Sequence, residues 1–368
     1  MTEWKEYKLG EIADILDYKR KPLSSMERSS RKGIYPYYGA SGVIDNIDDY
    51  IFDGEHVLIS EDGENLRTRQ TPIAFLANGK FWVNNHAHIL KADYVHSRLI
   101  CYYFAQLDLN PYITGAVQPK LSQDSLNRIP LFLPTSINER EKIVSILSSL
   151  DDKIDLLRRE NATLEQMAET LFRQWFVVEA KEEWEEGKLG DICNYVNEKI
   201  DIGNVETGDY ISTENMCPNK QGVVLASSVP ENGKATKYRI DDVLLSNIRP
   251  YFKKIWLSDR EGGCSADVLC IRGKNELYAF FSYYTIRQDE FFDYVMLGSK
   301  GCKMPRGDKS HIMNWPIIIP PKDELLKFNE IAKQGITKIR NNNKQIRTLI
   351  QMRDELLPKL MSNEINVK

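Results

Sequence analysis

A tandem repeat constrains the fold of this 368-residue chain more than any other feature. The pentapeptide Lys-Leu-Gly-Glu-Ile that begins at Lys8 returns as Lys-Leu-Gly-Asp-Ile at Lys188, a shift of 180 positions. A Leu-x-Gln-Met-x-x-x-Leu pattern that begins at Leu164 returns at Leu349, a shift of 185 positions. In each copy an opening motif, a mixed polar region, an apolar segment between prolines and a long helical pattern follow in the same order. Such a duplication predicts two similar halves related by an approximate two-fold axis.

Two long segments carry the apolar spacing of a coiled coil. The first begins near Asn138, where Glu139 and Glu141 favour a helix N-terminus. Its seam positions alternate by three and four residues, and they are Leu147, Leu150, Ile154, Leu157, Asn161, Leu164, Ala168, Leu171 and Trp175. A weaker seam in the same phase follows 185 positions later, at Ala332, Gly335, Ile339, Asn342, Ile346, Leu349, Arg353, Leu356 and Leu360. Pro358 predicts a kink or a stop near the end of this second helix.

A two-fold axis between the halves makes the two helices antiparallel and favours one register. Each seam holds one clear asparagine, Asn161 and Asn342, and a buried asparagine pair fixes register at some cost in stability. If these two residues face each other, Arg353 lies opposite Leu150, which requires its charged group to reach water. The other facing pairs are apolar: Leu164 with Ile339, Ile154 with Leu349, Leu157 with Ile346 and Trp175 with Phe328.

The polar regions before the helices are predicted to form domains that contain both strands and helices. Short β-like runs alternate with Gly- and Asn-containing turns, and each region closes on an apolar strand between prolines. The predicted fold class is α/β (α+β), with two α/β domains separated by two long antiparallel coiled-coil helices in a pseudo-two-fold repeat. The interiors of the two domains do not match, so the frame is predicted to repeat and the inserts to differ. The predicted segments are a first domain over 1–138, a central helical spacer over 139–181, a second domain over 182–322 and a C-terminal helical spacer over 323–368.

Charge and composition narrow the class of protein. A net charge of −4 weighs mildly against a nucleic-acid binder, because phosphate contacts need Lys and Arg. Basic clusters nevertheless occur in both polar regions, around residues 19–21 and 67–69 and around 249–254 and 300–309. No apolar run reaches the length of about 18 residues that a membrane span needs. Six cysteines, without a Cys-x-x-Cys pair, predict reduced, buried thiols, among them Cys302, in a cytoplasmic protein.

Motifs for catalysis are not found. The chain has no phosphate-binding loop of the G-x-x-x-x-G-K-[ST] type and no G-x-G-x-x-G after a strand. The string at residues 247–252 lacks the adjacent prolines of a DNA methyltransferase motif. His86 and His88 suggest a metal only weakly, because no carboxylate or cysteine stands at ligand spacing beside them. We therefore predict no catalytic residue, no metal and no cofactor in this chain.

The repeat and the predicted helices fit duplex DNA, which has local two-fold symmetry. The seam from Leu147 to Trp175 would be about 42 Å long on the rise of an α-helix. One turn of B-DNA is about 34–36 Å, so domains at the two ends of such a rod would each meet a major groove on one face. Two alternatives stay open: a coiled-coil scaffold with protein-binding lobes, and a divergent DNA methyltransferase or nuclease.

Several short strings resemble a known family. In the first half they are residues 38–42, 60–66, 83–88 and 118–122; in the second half they are 210–216, 244–254 and 303–309. Together, in this order and beside two heptad helices, they resemble the DNA specificity subunit of type I restriction-modification systems. The resemblance covers essentially the whole chain. It implies two target-recognition domains that each read one half of a bipartite double-stranded DNA site.

The resemblance also implies partners. The helices would act as a spacer and would dock two modification (methyltransferase) subunits, which carry S-adenosylmethionine and the adenine methylation chemistry. Separate restriction (motor-nuclease) subunits would use ATP. The chain itself would be a non-catalytic reader without membrane association.

Candidate DNA-binding residues follow from recognition chemistry, because Arg, Lys, Asn, Gln and small polar groups read base edges and Lys and Arg bind phosphates. In the first domain the candidates are Lys19, Arg20, Tyr38, Ser41, Asn65, Arg67, Arg69, Asn85, His86, Gln118 and Lys120. In the second domain they are Asn215, Asn247, Arg249, Tyr251, Lys253, Lys303, Arg306 and Lys309.

Overall fold

The computed structural model describes residues 3–115, 117–299, 301 and 303–365. Lys300 of the last basic cluster and Cys302 lie outside these residues. The chain forms two compact units, the first made of Met1–Leu156 and Ile346–Lys368 and the second of Leu157–Gln345. Each unit therefore contains one of the two polar regions together with parts of both long helices.

The first unit holds three small sheets. Its strands are β1 (Trp4–Lys8), β2 (Asp14–Ile15), β3 (Lys32–Gly39), β4 (Gly42–Ile47), β5 (His56–Ser60), β6 (Ala74–Ala77), β7 (Trp82–Val83), β8 (Ala87–Lys91) and β9 (Pro130–Pro134). Its helices are α1 (Ser25–Ser30), α2 (Asn65–Thr68), α3 (Tyr94–Gln106), α4 (Gln123–Asn127) and the first part of α5 (Ile137–Arg173). The strand orders are β2-β8-β5-β6, β4-β3-β7 and β1-β9. Only the β3–β7 pair among them is parallel.

The second unit begins within α5, which continues into a π-helical turn, Gln174–Val178. Its strands are β10 (Glu185–Lys188), β11 (Cys193–Tyr195), β12 (Lys199–Asp201), β13 (Tyr210–Ile211), β14 (Lys234–Tyr238), β15 (Val243–Ser246), β16 (Ile255–Leu257), β17 (Gly262–Cys264), β18 (Val268–Gly273) and β19 (Pro316–Ile319). Its helices are α6 (Leu189–Ile192), α7 (Tyr278–Arg287), α8 (Asp289–Leu297), α9 (Lys309–Met313) and most of α10 (Lys322–Met361). The strand orders are β11-β18-β15-β16, β12-β14-β17-β13 and β10-β19.

The internal fold repeats as well as the frame. The order β2-β8-β5-β6 in the first unit corresponds to β11-β18-β15-β16 in the second, and both sheets are antiparallel throughout. The prediction that only the frame repeats and the inserts differ was therefore wrong for these sheets. Their backbone ladders tolerate many apolar side chains, so the common topology survives where the sequences no longer match. The sheets β1-β9 and β10-β19 both have two strands, whereas β4-β3-β7 has three strands and β12-β14-β17-β13 has four.

The repeated pentapeptide has the same structural role in both units. Leu9 and Leu189 are fully buried in the cores of their units. The backbone N–H of Lys8 donates to the Glu11 carboxylate (3.2 Å), and Asp191 accepts the equivalent bond in the second unit (2.8 Å). An acidic residue three positions after the start thus caps the turn that buries the leucine. Either Glu or Asp can accept this hydrogen bond, which explains why the two copies of the motif differ at this position.

The two long helices occur where the heptad seams predict them. Pro358, however, does not stop α10, since the helix continues to Met361. Proline removes one backbone donor, and so close to the helix end little of the hydrogen-bond ladder is lost. In the first unit Leu357 and Leu360 of this last segment are buried in the core with Leu147 of α5.

The predicted register matches the contacts inside each unit. In the second unit Asn342 is fully buried and donates to the Asn161 side-chain oxygen (2.9 Å). The Trp175 and Phe328 rings lie 6.5 Å apart, so residue numbers rise on one helix as they fall on the other. In the first unit Arg353, which was predicted to lie opposite Leu150 with its charged group reaching water, donates to the Asp151 carboxylate (3.1 Å). The helices therefore pack antiparallel within each unit.

The asparagine pair gives a first prediction. Asn342→Leu alone should lower the free energy of unfolding by about 1 kcal/mol, because the Asn161 side-chain oxygen loses its donor, while Asn161 still donates to Asn343 Oδ1 (2.8 Å). The double variant Asn161→Leu/Asn342→Leu should recover part of that loss, since both members of the facing pair become apolar. Urea unfolding of the full chain measures both values. A single variant as stable as the double one would show that the two residues do not act as a pair.

The described cysteines agree in part with the prediction of reduced, buried thiols, because Cys193, Cys264 and Cys270 are buried and Cys101 and Cys217 are partly exposed. Cys101, Cys193, Cys217, Cys264 and Cys270 are all free. Burial raises the pKa of the Cys193 and Cys264 thiols to about 12. Such thiols stay protonated at neutral pH and are poor nucleophiles. None of the described helices combines the length and apolar character needed to cross a membrane.

Candidate nucleic-acid interface

Four of the strings singled out in the first half meet at one end of the β5–β8 sheet. We call residues 38–42, 60–66, 83–88 and 118–122 the first loop cluster. The Glu61 N–H donates to the His86 carbonyl (2.9 Å), and the Glu61 carbonyl accepts from the Leu121 N–H (2.7 Å). The Gly63 N–H donates to the Pro119 carbonyl (3.0 Å), and the Ser60 hydroxyl donates to the carbonyl of residue 40 (2.5 Å). These hydrogen bonds join the four strings, which lie between residues 38 and 122, into one group of loops.

The three strings of the second half meet in the same way. We call residues 210–216, 244–254 and 303–309 the second loop cluster. The Asn247 carbonyl accepts from the Gly307 N–H (3.1 Å), and the Arg249 N–H donates to the Pro305 carbonyl (2.8 Å). Lys254 Nζ donates to the Thr213 carbonyl (2.6 Å), which attaches the remaining string.

The two clusters share one backbone pattern. An isolated antiparallel bridge joins Asp62 to Lys120 in the first unit and Ile248 to Arg306 in the second. Both members of the bridge shift by 186 positions between the units, close to the 180 and 185 of the sequence repeat. Sequence reasoning missed this equivalence, although Pro-Lys at 119–120 and Pro-Arg at 305–306 carried the signal. The same loop framework therefore presents different side chains in the two units.

A group of buried charged residues includes members of the first loop cluster. Glu61 is 8% exposed and pairs with Arg20 and, at 3.2 Å, with Lys120 Nζ. Arg20 also pairs with Asp17 (3.3 Å), which in turn contacts the fully buried His88 ring at 2.6 Å. Asp17, Glu61 and His88 have the geometry of a metal-ligand group, but the Arg20 guanidinium already occupies both carboxylates. We assign no metal to this group.

This cluster corrects the sequence reading of Arg20. Its guanidinium also donates to the carbonyls of Asn85 (3.4 Å) and Ala87 (3.0 Å), so its donors are directed into the protein. Arg69 is similarly occupied, because it donates to the Leu107 (2.6 Å) and Phe104 carbonyls at the end of α3. Asn65 exchanges two hydrogen bonds with the Thr71 backbone and closes a turn. The structure gives these three residues structural roles.

The other first-unit candidates are exposed or partly exposed, and all but Lys19 and Arg67 belong to the first loop cluster. Exposed side chains are those of Lys19, Ser41, Arg67, Asn85, Gln118 and Lys120. Arg67 donates to the Gly115 carbonyl (3.0 Å), and His86 contacts the Asp62 carboxylate (2.8 Å). Tyr38 is half-buried against Phe75 and Phe81. Burial raises the pKa of its phenol, so the hydroxyl stays a hydrogen-bond donor.

In the second unit, the candidate Asn215 is buried. It is 5% exposed, accepts from the Ser212 N–H (2.7 Å) and donates to the carbonyls of Tyr210 and Val224 (3.0 Å each). Its amide is fully used in holding the loop. A turn former and a base reader have the same residue type, so the sequence did not distinguish them.

The remaining second-unit candidates cluster at the surface. Lys303 and Lys309 are exposed, and Lys309 lies over the Tyr195 ring. Arg306 pairs loosely with Asp267 (3.3 Å). Tyr251 is 47% exposed and lies against Phe252, 4.6 Å between ring centroids. An exposed aromatic pair beside lysines suits stacking and phosphate contacts, and Phe252 was missed by the sequence reasoning.

Arg249 occupies a strained position. Its φ is +49°, in the left-handed region, while the equivalent residue of the first unit is Gly63 with φ +107°. Glycine adopts such a backbone without penalty, whereas a non-glycine residue there costs about 1–3 kcal/mol. Buried polar atoms without a hydrogen-bond partner among the described residues include Arg249 Nε and Asn247 Oδ1. Both residues are partly exposed, and a strained arginine at a surface is typical of a functional site.

Comparison with known proteins agrees with this arrangement. A family model described as the type I restriction modification DNA specificity domain matches twice, over residues 1–166 and 181–351. A putative type I restriction enzyme specificity subunit of Haemophilus influenzae is 36% identical over 150 residues, 40% of this chain and 37% of that protein. The Type I restriction enzyme MjaIX specificity subunit of Methanocaldococcus jannaschii is 28% identical over 347 residues, 83% of this chain and 78% of that protein.

A solved structure shows the same fold. The crystal structure of a type I restriction-modification system S subunit from M. genitalium superposes with a TM-score of 0.58. The alignment covers 98% of this chain and 96% of that chain at 14% sequence identity. At this identity the likeness concerns the fold alone.

Proposed function

Because the chain belongs to the type I restriction modification DNA specificity family, we propose that it is a specificity subunit that reads a bipartite DNA target. Each loop cluster would read one half of the target. The target-recognition domains would be residues 1–138 and 182–322, with helical spacers over 139–181 and 323–368. The spacers would set the distance between the two half-sites.

One observation carries this proposal: the two units share a loop framework and differ in the side chains it presents. The bridges Asp62–Lys120 and Ile248–Arg306 occupy equivalent backbone positions. A subunit that reads two different half-sites on one scaffold requires this combination. A protein-binding scaffold has no need for repeated polar loop clusters rich in Lys, Arg, Asn and Gln.

Recognition chemistry assigns roles to the second loop cluster. Arginine reads guanine and asparagine reads adenine through paired hydrogen bonds in the major groove. Arg249 and Asn247 are partly exposed in the loop that holds the strained backbone, and they are the proposed base readers there. Lys303 and Lys309 are exposed and suit phosphates, which fix the position of the domain on the duplex.

The first loop cluster offers a different set. Ser41, Asn85 and Gln118 are exposed and uncharged, so they suit base edges, and the exposed Lys19 outside the cluster suits a phosphate. Lys120 is exposed but shares its charge with Glu61 (3.2 Å). We therefore expect a larger part of the salt-dependent affinity to come from the second loop cluster.

The chemistry would reside in partners. Two modification subunits would dock on the helices and supply S-adenosylmethionine and adenine methylation, and restriction subunits would supply the ATP-driven motor and the nuclease. The chain would contribute no catalytic residue, cofactor or metal. The complex would act in the cytoplasm.

Selection of DNA by the assembled complex tests the proposal. The chain is co-purified with the modification subunits of its system, and a pool of random duplexes is enriched by binding. We expect a motif with two specified parts and an unspecified spacer of fixed length, and a strong loss of affinity when either part is changed. A continuous motif, or the same motif selected by modification subunits alone, would contradict the proposal.

A further inference from the structure

We propose that a chain of ion pairs from α5 to the second loop cluster holds the base-reading loop in position and thereby sets discrimination at the second half-site. Its members are Glu169, Arg287, Lys220, Asp289 and Lys253, which we call the anchoring network. The inference rests on the proposed function. All five residues lie within the second unit, and none but Lys253 is among the predicted DNA contacts.

The inner part of the network is anchored on α5. The Glu169 carboxylate accepts from Arg287 Nε (3.1 Å) and from Lys220 Nζ (3.1 Å). Arg287 also donates to the backbone carbonyl of Lys220 (3.2 Å). The side chains of Arg287 and Lys220 are only 10% and 13% exposed. Water screens such pairs little, so they bind more firmly than surface ion pairs.

The outer part reaches the reading loop. Lys220 Nζ contacts the Asp289 carboxylate (3.0 Å), which also pairs with Lys253 Nζ (2.8 Å). The hydrogen bonds from Lys253 and then Lys220 lower the pKa of the Asp289 carboxyl. The backbone is joined too, because the Lys220 N–H donates to the Lys253 carbonyl (2.9 Å) and the Asn219 N–H to the Phe252 carbonyl (2.8 Å).

Both loops joined in this way are held in unfavourable conformations. Asn219, Lys220, Arg249 and Lys253 all have φ between +49° and +61°. Non-glycine residues remain in this region only where the surroundings fix them. The network supplies that constraint at both loops. Without it, we expect the loop that carries Arg249 to relax toward ordinary backbone conformations.

Relaxation of the loop should alter discrimination more than affinity. Phosphate contacts tolerate small displacements, whereas paired hydrogen bonds to a base edge depend on geometry. The network members on α5, α7 and α8 touch no proposed base reader, so they act as positioning residues. Their loss should reduce discrimination at the second half-site and leave the first half-site unaffected.

Two variants test this inference in the complex with modification subunits. Glu169→Gln removes the charge at the inner end, and Asp289→Asn cuts the outer link at a side chain that is 59% exposed, where folding is little affected. Affinity is measured for the cognate duplex and for duplexes with one base pair changed in either half-site. We expect the discrimination ratio at the second half-site to fall about tenfold, the size of one lost base contact, and that at the first half-site to stay unchanged.

A matched control lies beside the network. Arg173 pairs with Glu290 (2.9 Å) and likewise joins α5 to α8, but both side chains are more than half exposed and neither contacts the loop. Arg173→Met should therefore leave both ratios unchanged. Equal loss at both half-sites, equal effects of Asp289→Asn and Arg173→Met, or unchanged ratios in both network variants would overturn the inference. Absence of bipartite binding by the unmodified complex would instead refute the proposed function.

Discussion

Arg20→Met is expected to lower the free energy of unfolding by about 3 kcal/mol, the lower end of the cost of breaking a buried ion pair, because Glu61 keeps Lys120 and Asp17 keeps His88 as partners. Arg20 is the cation shared by Asp17 and Glu61, both of which are 8% exposed. Methionine fills a similar volume but leaves two carboxylates in a poorly solvated site. Urea unfolding of the full chain, followed by fluorescence, measures the change.

Lys19→Met is the control for this prediction. Lys19 is adjacent in sequence, exposed and outside the buried cluster, so its loss should change stability by less than about 0.5 kcal/mol. If Arg20→Met is as stable as the unmodified chain and yet binds DNA poorly, the original reading of Arg20 as a DNA contact would be right and the structural assignment wrong.

Arg249→Gly is expected to separate binding from stability. Affinity for a duplex with the cognate second half-site should fall by about 1–3 kcal/mol, the contribution of one base-reading arginine. The free energy of unfolding should stay unchanged or rise by about 1 kcal/mol, because glycine accepts the φ of +49° without strain. Binding titrations of the complex and urea unfolding of the chain measure the two effects. Arg249→Ala should show a similar loss of binding without the gain in stability.

Arg69→Gly is the matched control. Arg69 has nearly the same backbone conformation, with φ +51°, but its guanidinium donates to two carbonyls at the end of α3. Its loss should therefore reduce stability and leave binding of the folded complex unchanged. Unchanged binding in Arg249→Gly would remove Arg249 from the base readers, and reduced stability there would show that its side chain serves the fold.

The long helices were the most predictable part of the fold, and the reason is local. The heptad spacing and the single asparagines of the two seams are visible in the sequence alone. They were sufficient to predict the contact between Asn161 and Asn342. Helix pairing depends on side chains at fixed intervals, so a register can be read from the residues.

The interior of the units was less predictable because backbone atoms form its contacts. The bridges Asp62–Lys120 and Ile248–Arg306 join residues 58 positions apart in each unit, and few side-chain identities are shared between them. The repeat of sheet order therefore has little trace in the sequence. A search for weak matches at a shift of 186 would have found the Pro-Lys and Pro-Arg pairs.

The strings that hold most candidate residues could be identified from the sequence more readily than the role of each residue. The strings that carry the family resemblance converge within each unit, although the sequence analysis did not predict that they would meet. The roles of Arg20, Arg69 and Asn215 could not be predicted from the sequence. Arg20 bonds to Glu61, which is distant in the chain, and Arg69 and Asn215 bond to the backbone carbonyls of Phe104 and Val224. Residue type shows that a side chain can hydrogen-bond, and only the fold shows whether its donors are already used.

Methylation mapping of the host genome shows whether the two loop clusters read two separate halves of one DNA site. Methylated adenines are sequenced in the host strain, in a strain without this gene, and in a strain that carries Arg249→Gly. We predict that one bipartite motif loses its methylation without the gene. In the Arg249→Gly strain, methylation of this motif should be weaker because recognition of its second half alone is impaired. Loss of a continuous motif, or no change in any motif, would contradict the account.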